Sequence, residues 1–145
     1  MLEKLIERYK NKDLTISILG LGYVGLPLSL LFARNNIKTI GLDINQEKVD
    51  TLLKGKSYIK HIKSESLKRN IEAGFFLPST DFKKVNEADV IILCLPTPLN
   101  KFREPNISYI KNTLTNIKDY LRKGQLISLE STTYPGTTEE LFLPL

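Results

Sequence analysis

Between the apolar run TISIL and a helical pattern that opens near Tyr23, the chain places Gly20, Gly22 and Gly25 in the span GLGYVG. A glycine inside a helix or strand costs roughly 0.5–1 kcal/mol relative to alanine, so such a cluster marks a backbone that must turn tightly or be approached closely. The G-x-G-x-x-G spacing after a strand and before a helix has a specific physical reading. The first glycine permits the turn, the second leaves room for a pyrophosphate beside the backbone, and the third lets helix and strand pack together. Amide N–H groups and the positive end of the helix dipole then face the phosphates. The motif is weak alone and gains its force from what surrounds it.

What surrounds it is a regular alternation of short β-rich runs and longer helical patterns. Leu2, Leu5, Ile6 and Tyr9 share one face of an N-terminal helix over 2–10. TISILG is the first strand, Tyr23 to Asn35 the next helix, and KTIGLD the second strand. Pro27 removes a backbone donor early in that helix, which therefore starts late or bends at its first turn. Asn45 is placed to cap QEKVDTLLKG, with Gly55 as its stop, and Ser64 to cap ESLKRNIEAG. FFLPST is a third strand interrupted by Pro78. ADVIILCLP is nearly continuous in apolar residues, as a parallel strand buried on both faces should be. An amphipathic helix follows, with Ile107, Ile110, Leu114, Ile117 and Leu121 on one side and Gly124 at its end; QLISLEST is the fifth strand and TTEELFLPL opens another helix. The alternation predicts an α/β fold, a Rossmann-type doubly wound parallel sheet with right-handed crossovers, stopping before the sixth strand that would complete it.

The second strand ends at Asp43, about 20 residues after the first glycine, where a dinucleotide fold sets a carboxylate to accept from the adenosine ribose hydroxyls. The same charge repels a 2′-phosphate, so NAD is expected over NADP. Composition supports one domain over residues 1–145: 41% of residues are hydrophobic and 26% charged, enough for a core of ordinary size. The single cysteine, Cys94, and single histidine, His61, offer neither an internal disulfide nor a metal cluster. No metal is expected, and a reducing, cytoplasmic setting is. The net charge of +5 comes from scattered lysines without an arginine-rich stripe, which reads as a solvated surface rather than a nucleic-acid site. With no apolar run of about 18 residues and a charged N-terminus, the chain is expected to be soluble, with no membrane partner.

Four segments, GLGYVGLPLSLLFA, GLDINQEKVDTLLKGKSYI, ADVIILCLPTPL with EPNISYI, and LISLESTTYPGTTEE, together resemble the NAD-binding domain of the UDP-glucose/GDP-mannose dehydrogenase family. ESTTYPGTTEE is most similar to the family's bacterial UDP-N-acetylglucosamine 6-dehydrogenase branch. The resemblance covers essentially the whole chain. It implies a fragment of a larger, homo-oligomeric enzyme that oxidises the C6 alcohol of a UDP-sugar, UDP-N-acetylglucosamine or UDP-N-acetylmannosamine, to the carboxylate with two NAD. The intermediate aldehyde would be held by a cysteine lying, with a lysine and substrate-binding glutamates, beyond this segment. The alternative is a stand-alone NAD-binding redox sensor without catalysis.

The resemblance also assigns residues. The backbone of Leu21, Gly22, Tyr23 and Val24, framed by Gly20 and Gly25, would bind the pyrophosphate; Asp43 and Lys48 would lie at the ribose end. Thr97 matches a threonine of the cofactor cleft. Thr132 and Thr133 match a hydroxyl pair near the nicotinamide, and Thr133 would be the catalytic one, ordering a reaction water or an oxyanion. Residue chemistry leaves other roles open: Lys48 also suits a solvated helix face, Thr97 a loop, and either paired threonine a helix cap. Glu130 is either a partner to the site or a buried acid. Cys94, inside an apolar strand, reads as a small hydrophobe, and His61 as a surface or packing residue.

Overall fold

The computed structural model describes residues 2–101, 103 and 105–144. Five strands, β1 (Thr15–Leu19), β2 (Lys38–Leu42), β3 (Phe76–Ser79), β4 (Val90–Leu93) and β5 (Leu126–Leu129), form one all-parallel sheet in the order β3-β2-β1-β4-β5. The helices are α1 (Leu2–Lys10), α2 (Gly25–Arg34), α3 (Gln46–Leu53), α4 (Ser64–Glu72) and α5 (Ser108–Ile117). This is the doubly wound arrangement expected.

Strand alternation divides the core between the two faces of the sheet. Ile16 and Ile18 of β1, with Ile92 and Cys94 at β4, pack on Leu28 and Phe32 of α2. Leu19, Ile91 and Leu93 turn the other way, onto Ile110, Leu114 and Ile117 of α5. A further cluster joins α2, α3 and α4 through Leu26, Leu30, Leu52 and Leu67, with Phe76 of β3.

Several local expectations change. Helix α2 starts at Gly25 rather than Tyr23, with Val24 as its cap. Pro27 is thus in the first turn, where a missing N–H is tolerated, and the helical bond Leu28 N–H to Val24 C=O closes just past it. The late start is the outcome. Ser64 does not cap α4: Lys63 holds the cap position without a side-chain bond, and Ser64 Oγ instead accepts the Ser57 N–H at 3.2 Å. Asn45 does cap α3, accepting the Lys48 N–H at 3.1 Å. Pro78 is accommodated because β3 is an edge strand: the carbonyls of Phe75 and Ser79 bond β2, so the Pro78 nitrogen faces away from the ladder. The C-terminal helix is a single π-helical turn over Thr138–Phe142.

At the sheet's amino end, Asp89 ties four segments together. Its Oδ1 lies 2.6 Å from Arg8 of α1 and 2.8 Å from Arg122 ahead of β5, and its Oδ2 accepts the Thr15 N–H of β1 at 3.0 Å. No helix among the described residues is long and apolar enough to cross a membrane.

Candidate functional site

The sheet order reverses between β1 and β4, and open sheets of this kind offer a crevice at the carboxyl ends of those strands. There the structure has a cleft of about 580 Å³. Gly20, Gly22, Tyr23 and Val24 from the β1 turn, Asp43 and Lys48 after β2, Thr97 after β4 and Thr132 after β5 all line it. Eight residues that sequence had scattered over more than a hundred positions are brought to one cleft.

Each glycine of the turn meets a different constraint. Gly20 has φ +96°, and a Cβ there would stand 2.4 Å from the Cys94 carbonyl oxygen. A Cβ on Gly25 would come within 1.7 Å of the Gly20 carbonyl oxygen, so the helix touches the turn it leaves. At Gly22 a Cβ would meet nothing within 4 Å. The protein leaves that space open beside the backbone, as a bound pyrophosphate requires. Leu21 is not among the residues lining the cleft: its side chain is fully buried and its N–H is taken up by Asp43.

Asp43 is 7% exposed, and its carboxylate is already engaged. Oδ2 accepts the Leu21 N–H and Oδ1 the Asn45 N–H, both at 2.9 Å, while Lys48 Nζ lies 3.6 Å from Oδ2. A carboxylate has about four acceptor sites, so capacity remains for ribose hydroxyls. Lys48 also stands over the Tyr58 ring, 5.8 Å from its centroid. The open glycine turn and the oriented acid fit an adenine dinucleotide.

At the other end, Ser131 Oγ accepts the Leu95 N–H at 3.0 Å and holds the β5 loop against the β4 loop. Glu130 lines the cleft and is exposed, which removes the buried-acid alternative; Ser128 donates to its Oε1 at 2.8 Å. Thr133, half-buried, is not among the residues lining the cleft. Cys94 lies at the cleft floor, 9% exposed, and burial with the Glu130 charge pushes its thiol up to about 11. It is a neutral, core-packed group at ordinary pH. His61 is exposed and away from the cleft. No cluster of His, Cys, Asp or Glu suited to a metal occurs among the described residues.

Sequence reasoning missed Ser131, and also Tyr109 and Thr113 of α5, which close the cleft from the side. Tyr109 and Thr113 lie four apart, hence on one helical face, a signal that only becomes meaningful once α5 is known to border the cleft.

Residues 14–145 match the model of the NAD-binding domain of the UDP-glucose/GDP-mannose dehydrogenase family. The UDP-N-acetyl-D-mannosamine dehydrogenase of Escherichia coli is 40% identical over 128 residues, 88% of this chain and 30% of that protein. The UDP-N-acetyl-D-glucosamine 6-dehydrogenase of Pseudomonas aeruginosa is 35% identical over 134 residues, 92% of this chain and 31% of that protein. Among solved structures, a ternary complex of GDP-mannose dehydrogenase from Pseudomonas aeruginosa superposes with a TM-score of 0.84 at 32% identity, over 90% of this chain and 31% of that one. The chain thus spans about a third of the length of the relatives it matches.

Proposed function

We infer that this chain, which belongs to the UDP-glucose/GDP-mannose dehydrogenase family, supplies the cofactor half of an enzyme that oxidises the C6 alcohol of a UDP-N-acetylhexosamine to the carboxylate. The observation that carries the reading is the coincidence, at the sheet's switch point, of a turn left open at Gly22 with a carboxylate fixed at Asp43. NAD, when bound, supplies a hydride acceptor. Alcohol to carboxylate removes two hydrides and adds the oxygen of one water, so two NAD are consumed for each sugar.

The chain's own residues then have distinct tasks. The N–H groups of the glycine turn hold the pyrophosphate, and Asp43 accepts from the adenosine ribose with Lys48 beside it. Thr97 and Thr132 line the cleft; Thr97 is assigned to the cofactor, Thr132 to the nicotinamide end, and neighbouring Thr133 to ordering a reaction water, since a hydroxyl donates and accepts at once. UDP-N-acetylmannosamine and UDP-N-acetylglucosamine are the proposed substrates, because relatives named for each are 40% and 35% identical to the chain. Calorimetric titration of NAD and NADP is the direct test: saturable binding that favours NAD is expected, and no binding of either would overturn the reading.

A further inference from the structure

The segment between α3 and α4 is not part of the cleft wall, yet it sends one side chain to the back of the glycine turn. The Tyr58 hydroxyl donates to the Leu21 carbonyl, across 37 positions of chain. On the other side of the same residue, the Leu21 N–H is held by Asp43. Leu21 is therefore gripped at both its donor and its acceptor.

The grip has a directional consequence. A trans peptide is planar, with its carbonyl and the next residue's N–H pointing to opposite sides. Fixing the Leu21 carbonyl on Tyr58 turns the Gly22 N–H away from Tyr58, and among the described residues no acceptor meets that N–H. Gly22 is also the glycine of the turn around which the protein leaves space.

Tyr58 is itself well held. Ile59 and Ile62, 3% and 7% exposed, anchor its segment in the core. Ser57 bonds Ile59 through its hydroxyl, 3.0 Å to the carbonyl and 3.1 Å from the N–H, and its own N–H reaches Ser64 Oγ. Burial, and after it the Asp43 charge, raise the Tyr58 phenol above its ordinary value, so the hydroxyl remains a donor at any physiological pH. The ring separately supports Lys48.

We propose that Tyr58 is a positioning residue for the dinucleotide: by holding the Leu21 carbonyl, its hydroxyl aims the Gly22 N–H at the pyrophosphate. This rests on the assignment of the glycine turn to NAD. Tyr58→Phe isolates the effect, because the ring that packs on the core and carries Lys48 stays in place.

The test compares ligands with and without a pyrophosphate, ADP-ribose against adenosine, titrated into wild type and Tyr58→Phe while the backbone amides are followed by NMR. The variant should keep its thermal midpoint within a few degrees and bind adenosine as wild type does. ADP-ribose should bind roughly three- to tenfold more weakly, as loss of one hydrogen bond implies. The Gly22 amide resonance should shift even without ligand. Equal weakening of both ligands, unchanged ADP-ribose binding, or an unmoved Gly22 amide would each overturn the role of Tyr58 while leaving the NAD site intact. A wild type that binds ADP-ribose no tighter than adenosine would overturn both.

Discussion

A single methyl group separates the tasks of the glycines in the turn. Gly25→Ala forces a Cβ to within 1.7 Å of the Gly20 carbonyl oxygen, which no side-chain adjustment relieves, so the fold should lose about 3 kcal/mol in denaturant unfolding. A Cβ at Gly22 meets no protein atom within 4 Å, so Gly22→Val should unfold like wild type, yet abolish NAD binding by filling the pyrophosphate's space. Retained NAD affinity in a folded Gly22→Val would remove the turn from the site. Asp43 holds Leu21 and Asn45, and the proposed function adds a second task, accepting from the ribose. Calorimetry on Asp43→Ala should show NAD weakened by about 1.5–3 kcal/mol, the range for hydrogen bonds to a charged group, with the preference over NADP lost. Equal NAD and NADP affinities in wild type would contradict that selectivity.

Among elements, the sheet's amino end is the place where pH acts on stability. Burial disfavours the Asp89 charge, but the Thr15 N–H and the guanidinium groups of Arg8 and Arg122 outweigh it and hold the carboxyl below its ordinary value. A depressed folded value means that the stabilisation is fully present above the unfolded carboxylate's pKa, about 3.9, and drains away as pH falls through the folded value. Thermal unfolding of wild type and Asp89→Asn should therefore differ by about 2 kcal/mol at neutral pH and converge in acid. A gap that persists undiminished at the lowest pH would show that charge is not what Asp89 contributes. The motifs that sequence read within one element, such as the Asn45 cap and the buried run of β4, are local and were legible. Ser64 was not, because its oxygen has a stronger claim from Ser57, which only the folded loop brings near.

For the molecule as a whole, the proposed chemistry divides between holding a cofactor, which falls to this chain, and transforming a sugar. Capture of an aldehyde needs a nucleophile, and the chain's one thiol, Cys94, is buried and held up at about 11, mostly protonated at neutral pH. Incubated with NAD and UDP-N-acetylglucosamine, this chain should bind the cofactor and yield no NADH absorbance above background. Turnover would send the search for a base to Glu130, the ionisable carboxyl of the cleft's far end.

Sequence by itself determined the order of the five strands and five helices, the glycine turn and the acid at the end of β2, because each is written in residues near one another in the chain; the helix expected to run to Gly124 ends at Ile117, and a 3-10 helix over Phe82–Glu87 was not expected. It also narrowed the expected cofactor, since one negative charge at Asp43 would repel a 2′-phosphate. Tertiary structure alone decided the pairings across the chain: Tyr58 with Leu21, Asp89 with Arg8 over 81 positions, Ser131 with Leu95. It also decided which hydroxyl of the Thr132 and Thr133 pair lines the cleft. Those choices follow from the sheet order, in which β4 returns beside β1 and β5 beside β4, and from the packing of the α3–α4 segment against α2, so that segments distant in sequence meet where no local pattern of residues encodes it.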